Sequence, residues 1–426
     1  MAGPQDRQTE YTKWAASRPG VPGTQSARRY FRDPLQRPVL TFLGILAFAI
    51  VLGGGAYAMF GAGGPALSAD HEAVVDTLDL DGGICCIEYA EIDGSEYLFV
   101  TVLDSAGFWR DSRPPDVSLR VIAIRGGEMD EIASIDAPID SMLPRSTAMI
   151  DSTLFIPLGV SQLDERGIWA VDVGDPWRPE EIGLERTEGF VTSAATDGVE
   201  TLITHAAGEF AFYETSDPRA LELLAEFKQP VSSVDRMTFD PEAGRLYEYA
   251  VRSNRVNIAD VSDLESIEPL GRHQNEYRRT SSQHRVAEEI EDSGDRLDQT
   301  APTEQFLDFA VSGDVMYVAA SDLGIEVVDA SDPAEPKLIG RIAPGDRTVR
   351  TIIAGNVLHA LTVDEHSRER LEYEVHTFDV IDPGELEYVK TVDGIRAAPG
   401  RQAIETGGGY VFLGLNDTIA MIAPDS

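Results

Sequence analysis

The stretch "GIEVVDASDPAEPKLIGRI", Gly324 to Ile342, sets a short apolar strand against a second strand across a polar turn, and "GIWAVDVGDPWRPEEIG", Gly167 to Gly183, has the same layout. Further copies are "LRVIAIRGGEMDEIASI" from Leu119, "EFAFYETSDPRALELLAEF" from Glu209, "RVNIADVSDLESIEPLGR" from Arg255 and "EVHTFDVIDPGELEYVKTV" from Glu374, and a truncated one, "TIAMIAPDS", ends the chain. The position held by Asp329 falls also at Ala123, Asp172, Glu214, Asp260, Asp379 and near Ala423, at intervals of 42 to 50 residues apart from one of 69. Self-similarity at such a period marks a repeat architecture.

Turn chemistry accounts for the motif without a ligand. In "SDPAEP", Asp332 can accept a backbone hydrogen bond at the first turn position while Pro333 fixes φ at the second, which makes a tight reversal. Asp172, Asp260, Asp329 and Asp379, with Pro176, Pro218, Pro333 and Pro383, therefore read as turn formers rather than metal ligands.

Two more short strands precede each motif, as in "FLDFAV" (306–311) and "VMYVAA" (315–320) around the turn "SGD". Four antiparallel strands in about 45 residues is the content of one propeller blade. The pattern resembles the LVIVD-repeat family, whose members look like β-propellers, and the resemblance spans nearly everything from Asp70 onward. The copies from Leu119 and Thr418 lack the aspartate and the proline turn, so the terminal blades carry the weakest signal. The last copy stops after its third strand, and "HEAVVDTLDL", His71 to Leu80, aligns with "EPKLIGRIAP" as the missing fourth. The expected fold is all-β, a seven-bladed propeller of four-stranded antiparallel blades closed by that borrowed strand, preceded by one transmembrane helix.

That helix is read from Val39 to Phe60, 22 residues without a charge, long enough to span a hydrocarbon core. Arg28, Arg29, Arg32 and Arg37 crowd its N-terminal side and Asp70, Glu72 and Asp76 follow it, so the positive-inside rule places the N-terminus in the cytoplasm. A cleaved signal peptide is the competing reading. The expected organisation is a disordered cytoplasmic tail (1–37), a membrane anchor (38–60), a linker (61–69) and an extracytoplasmic propeller (70–426) with a disordered insertion at 272–304.

Charge follows the same division. Up to Arg37 the chain has seven basic and three acidic residues; beyond it, 28 and 70, and the whole carries a formal charge of -38. A surface this acidic repels phosphate backbones, which excludes nucleic acid as a partner of the large part. No cofactor is implied, although structural calcium suits oxygen-rich surfaces. The adjacent Cys85 and Cys86 read as ordinary buried strand residues, with a vicinal disulfide as the alternative on the oxidising side of a membrane.

With strands a to d in each blade, the long segments 103–118, 160–167 and 363–373 are b–c loops and the insertion around 272–304 is a d–a loop, so elaboration gathers on one face. Loops on a rigid scaffold carry recognition. Phe108, Trp109 and Arg110 on one loop and His366, Arg368 and Arg370 on another are the candidate contacts for a protein, glycan or envelope partner. A nucleophile elbow, a P-loop, an H-E-x-x-H helix, a dinucleotide fingerprint and an EF-hand loop are absent. The expected function is a binding platform. The alternatives are a hydrolase or oxidoreductase sited in the central channel, which clustered acids and bases there would support, and a structural envelope protein.

Overall fold

A computed structural model describes residues 68–69 and 72–423, apart from the segments 105–115, 140–143, 160–165, 188, 190, 207, 229–233, 235, 251–253, 275–306, 365–370, 383–384 and 398–401. The expected tail, the anchor, the six loop residues proposed as contacts and Pro383 lie outside the described residues. Among those described, no helix is long and apolar enough to cross a membrane.

Seven antiparallel sheets follow one another along the chain. Their innermost a strands are Gly83–Ile92, Ala148–Ile150, Val191–Thr196, Arg236–Asp240, Asp308–Ser312, Arg347–Ala354 and Gln402–Gly407, for blades 1 to 7. The first strand of blade 7 packs on that of blade 1, which closes the ring. The fourth strand of blade 7 is Val74–Asp79, paired antiparallel with Thr418–Ile422, so the N-terminal side of the propeller supplies the edge that the C-terminus lacks. Two backbone bonds flank this seam, Leu80 N–H to the Asp417 carbonyl (2.7 Å) and Ala423 N–H to the Ala73 carbonyl (2.9 Å).

There is no single core. Seven apolar clusters are wedged between successive blades, as where Tyr97 and Leu119 of blade 1 meet Leu154 and Trp169 of blade 2, or Leu98 and Ile122 of blade 1 meet Phe412 and Met421 of blade 7. Alternation along a strand feeds both neighbours: Leu246 faces blade 3 and Tyr247 faces blade 5. The middle strands are thus buried on both sides, which is why Val315–Ala319 and the stretch 419–422 read as unbroken apolar runs. Fourth strands have one wet side, and Val74–Asp79 alternates half-buried and exposed.

The motif's residues have their reasons in the c–d hairpin. Asp172, Asp260 and Asp329 each accept a backbone N–H two residues on (2.8, 3.0 and 2.9 Å), and Asp175, Asp263 and Asp332 do the same one turn later. A Cβ on Gly324 would collide with the Ile342 carbonyl of the paired outer strand, and Gly167 stands in the same relation to Glu185, so the motif's leading glycine lets the two backbones approach. Blade 1 reverses instead through Gly126 and Gly127, both at positive φ (61° and 87°), a two-residue hairpin that needs no Asp-Pro turn.

Three expectations change. Ser68–Ala69, placed in the linker, adds a fifth strand to blade 6 by pairing with Ile395 and Arg396. The insertion begins later than 272, because the outer strand of blade 4, Glu268–Gln274, runs through it. Cys85 and Cys86 are not separate thiols but a vicinal disulfide. In a regular strand adjacent side chains point to opposite faces, and a register break between Ile84 and Cys86 leaves Cys85 unpaired and lets the two sulfurs meet.

Candidate functional site in the central channel

Six of the seven blades carry a charged residue in the a strand or the residues leading into it, and all but the buried Asp308 face the channel cavity: Glu88 (blade 1), Arg145 (blade 2), Arg236 (blade 4), Asp308 (blade 5), Arg350 (blade 6) and Glu405 (blade 7). Blade 3 presents only Ala194, Ala195 and Thr196. Five of the six charged residues, all but Asp308, line a cavity of about 510 Å³, and the disulfide forms part of its wall. Its lining on blades 1 and 7, residues 85–88 and 402–405, comes from the first half of each strand, toward the face that bears the b–c and d–a connections.

Polar contacts cross each junction from blade 1 to blade 7. Thr147 Oγ1 donates to Glu88 (2.7 Å), Ser146 Oγ to the Ala194 carbonyl (2.8 Å) and Ser193 Oγ to the Val234 carbonyl (3.0 Å). Arg236 pairs with Asp308 (3.3 Å), the Thr351 N–H donates to the same carboxylate (3.2 Å), and Arg350 donates to the Gln402 carbonyl (3.0 Å). Serine hydroxyls close two of these junctions without a charged side chain, so ring closure alone does not call for a set of arginines and glutamates converging on one cavity. Their surplus charge is what makes the cavity a candidate site.

The two glutamates are held as acids. Burial deep in the ring raises Glu88 to about 8, the nearby Glu405 carboxyl adds to it, and the Thr147 hydrogen bond and Arg236 oppose it. Burial likewise raises Glu405 to about 7 against the Thr406 N–H (2.8 Å) and Arg236. The two carboxyls interact, so their protons leave in steps that belong to the pair. Asp308 is fully buried, and its second oxygen finds no hydrogen-bond partner among the described residues. An unmet buried acceptor costs about 1–3 kcal/mol and marks a place where water or a ligand completes the shell.

Other buried charges are internally satisfied. Glu326 sits between His273 (2.8 Å) and Arg341 (2.8 and 3.0 Å); burial would raise its carboxyl, but these two partners outweigh it and hold it below the usual range. Glu248 is raised to about 7 by burial, opposed by Asn257 and Arg255, and lies inside blade 4 away from the cavity. Among the described residues no cluster of three or more His, Cys, Asp and Glu could hold a metal ion.

None of the channel residues is part of the repeat motif, and sequence reading passed over them. A signal was present: a charge set in or beside an apolar first strand in six of seven units, as in "CCIEYA", "DRMTF" and "TVRTII".

Comparison with known proteins gives the same architecture. The LVIVD repeat family matches residues 307–343, the third to fourth strands of blade 5 and the two before them. No curated protein matches the chain. Among solved structures, a chain of the mitotic checkpoint complex is similar at a TM-score of 0.54 and 10% identity, over 85% of this chain and 97% of that one. A protein from Lactobacillus plantarum follows at 0.51 and 11%, over 72% and 84%. The periplasmic gluconolactonase of Pseudomonas aeruginosa stands at 0.50 and 13%, over 74% and 88%. At these identities the likeness shows the fold and carries no chemistry.

Proposed function

We propose that this LVIVD-repeat propeller is a small-molecule binding module whose recognition site is the central channel, held outside the cytoplasm by the apolar segment 38–60. The observation that carries the site is the convergence of three arginines and two buried glutamates, whose carboxyls burial pushes up, on one cavity of about 510 Å³, within the size range of small-ligand pockets. A rigid ring presenting both donors and acceptors is suited to a compact polar ligand. The loop platform is a second recognition surface on the same face; a protein or glycan partner there is favoured by the long segments alone.

Two features support the location: the charge asymmetry about segment 38–60, and the disulfide, which persists in oxidising compartments and not in the cytosol. Acid–base chemistry at the glutamate pair is the alternative reading, favoured by carboxyls that titrate near neutrality.

The test is a thermal-shift panel of small polar metabolites against the full chain, a variant with 105–115 and 365–370 replaced by Gly/Ser turns, and the channel variant Arg350→Gln. A hit that stabilises the first two and not the third supports the channel. Hits lost only from the loop variant, or an empty panel, contradict it.

A further inference from the structure

We propose that the channel cavity binds a small organic anion, its carboxylate group held by the arginines of blades 2, 4 and 6, with Glu88 and Glu405 acting as hydrogen-bond donors to it. This rests on the reading of the channel as a ligand site and adds the ligand's chemical class. The first ground is contrast: a chain with a net charge of -38 reserves three of its 35 basic residues for one interior cavity. A cation would find its attraction on the acidic exterior, so the cavity's opposite character points to an anion.

The second ground is how the arginines are held. Arg350 gives Nε to the Gln402 carbonyl (3.0 Å) and Nη1 to the Leu307 carbonyl (3.3 Å). Neutral acceptors fix the orientation of the fork and leave its positive charge in place, the arrangement that suits a planar carboxylate. Arg145 projects a positive field as well: with burial as the larger cause, it helps hold His205 on the neighbouring blade down at about 4. Arg236 is shared between Asp308 and the cavity.

The third ground is charge balance around the ring. The groups facing the glutamate pair are Thr147 and Arg145 from blade 2, Arg236 from blade 4, Arg350 from blade 6, and Asp308 behind Arg236; blade 3 offers no titratable group to the cavity, and the disulfide does not titrate. With both glutamates protonated, three arginines face one aspartate and the interior is positive by two; with both ionised, the charges cancel. Burial keeps both glutamates protonated to near neutrality or above. An anion therefore binds best while the protons are in place and draws protons in when they have left, so affinity falls as pH rises, by up to about tenfold per pH unit for each proton taken up.

The test is isothermal titration of the full chain with succinate, glutarate, malate and gluconate, each beside a neutral amide or polyol of similar size, at pH 6 and pH 9 and in two buffers of different ionisation enthalpy. The expected result is binding of at least one acid but not its neutral partner, weaker by tenfold or more at pH 9, with net proton uptake. Arg350→Gln and, independently, Arg145→Gln weaken it at least tenfold with the fold intact by circular dichroism. Glu88→Gln with Glu405→Gln binds more tightly than wild type at pH 9. If neutral compounds bind and acids do not, the anion inference falls while the channel reading stands; if neither binds, both fall.

Discussion

Deleting residues 72–80 abolishes cooperative folding of the propeller or lowers its melting temperature by 10 °C or more. The segment contributes the outer strand of blade 7 and buries Ala73 and Leu80 almost completely, with Val74 and Leu78 packed on adjoining clusters. Burying such side chains contributes about 1–3 kcal/mol each, so roughly 5 kcal/mol leaves with them, at about 2 °C per kcal/mol for a domain of this size. The larger effect is topological: Thr418–Ile422 becomes a bare edge of five fully buried residues, a template for pairing between molecules. Differential scanning fluorimetry with light scattering reads both effects. Wild-type melting of the deletion variant would show that the ring does not depend on this strand.

Replacing both channel glutamates by glutamine makes the protein more stable than wild type above pH 8 and brings no gain at pH 5. Both groups are raised from an ordinary value of 4.5, to about 8 and about 7, so the folded state binds protons more tightly than the unfolded chain. Stability from such groups is complete below pH 4.5 and is lost progressively as pH rises through 7 to 8. At about 1.4 kcal/mol per unit, the loss by pH 9 is on the order of several kcal/mol. Glutamine has no proton to lose, so urea midpoints of the variant decline less between pH 6 and pH 9. Some slope persists in the variant because Glu248 titrates near 7, and the acid limb persists because His205 and His376, held at about 4 by burial, must charge as pH falls below 6.5. Parallel wild-type and variant profiles would mean that the pair is ionised throughout.

What was legible in the sequence was what the blades repeat. Asp329, Asp332 and Pro333 identify a turn because turn geometry is set within a few residues, and the closing strand at 71–80 showed itself by similarity to "EPKLIGRIAP". The channel was not legible, because Glu88 and Glu405 meet only through ring closure, across more than 300 residues of chain. Likewise the disulfide depends on a one-residue break in pairing at Cys85, and nothing in two adjacent cysteines announces a bulge. The fifth strand of blade 6 was missed because two residues, Ser68 and Ala69, carry no periodicity.

The central claim is that the ring keeps protonated carboxyls on the axis at neutral pH. Difference infrared spectroscopy between wild type and the Glu88→Gln, Glu405→Gln variant at pH 6.5 measures this directly, because the contribution of Glu248 cancels. The expected result is a protonated-carboxyl C=O band in the wild type alone, fading as pH is raised past 8. Carboxylate bands alone in that difference, with no protonated carbonyl at pH 6.5, would contradict it.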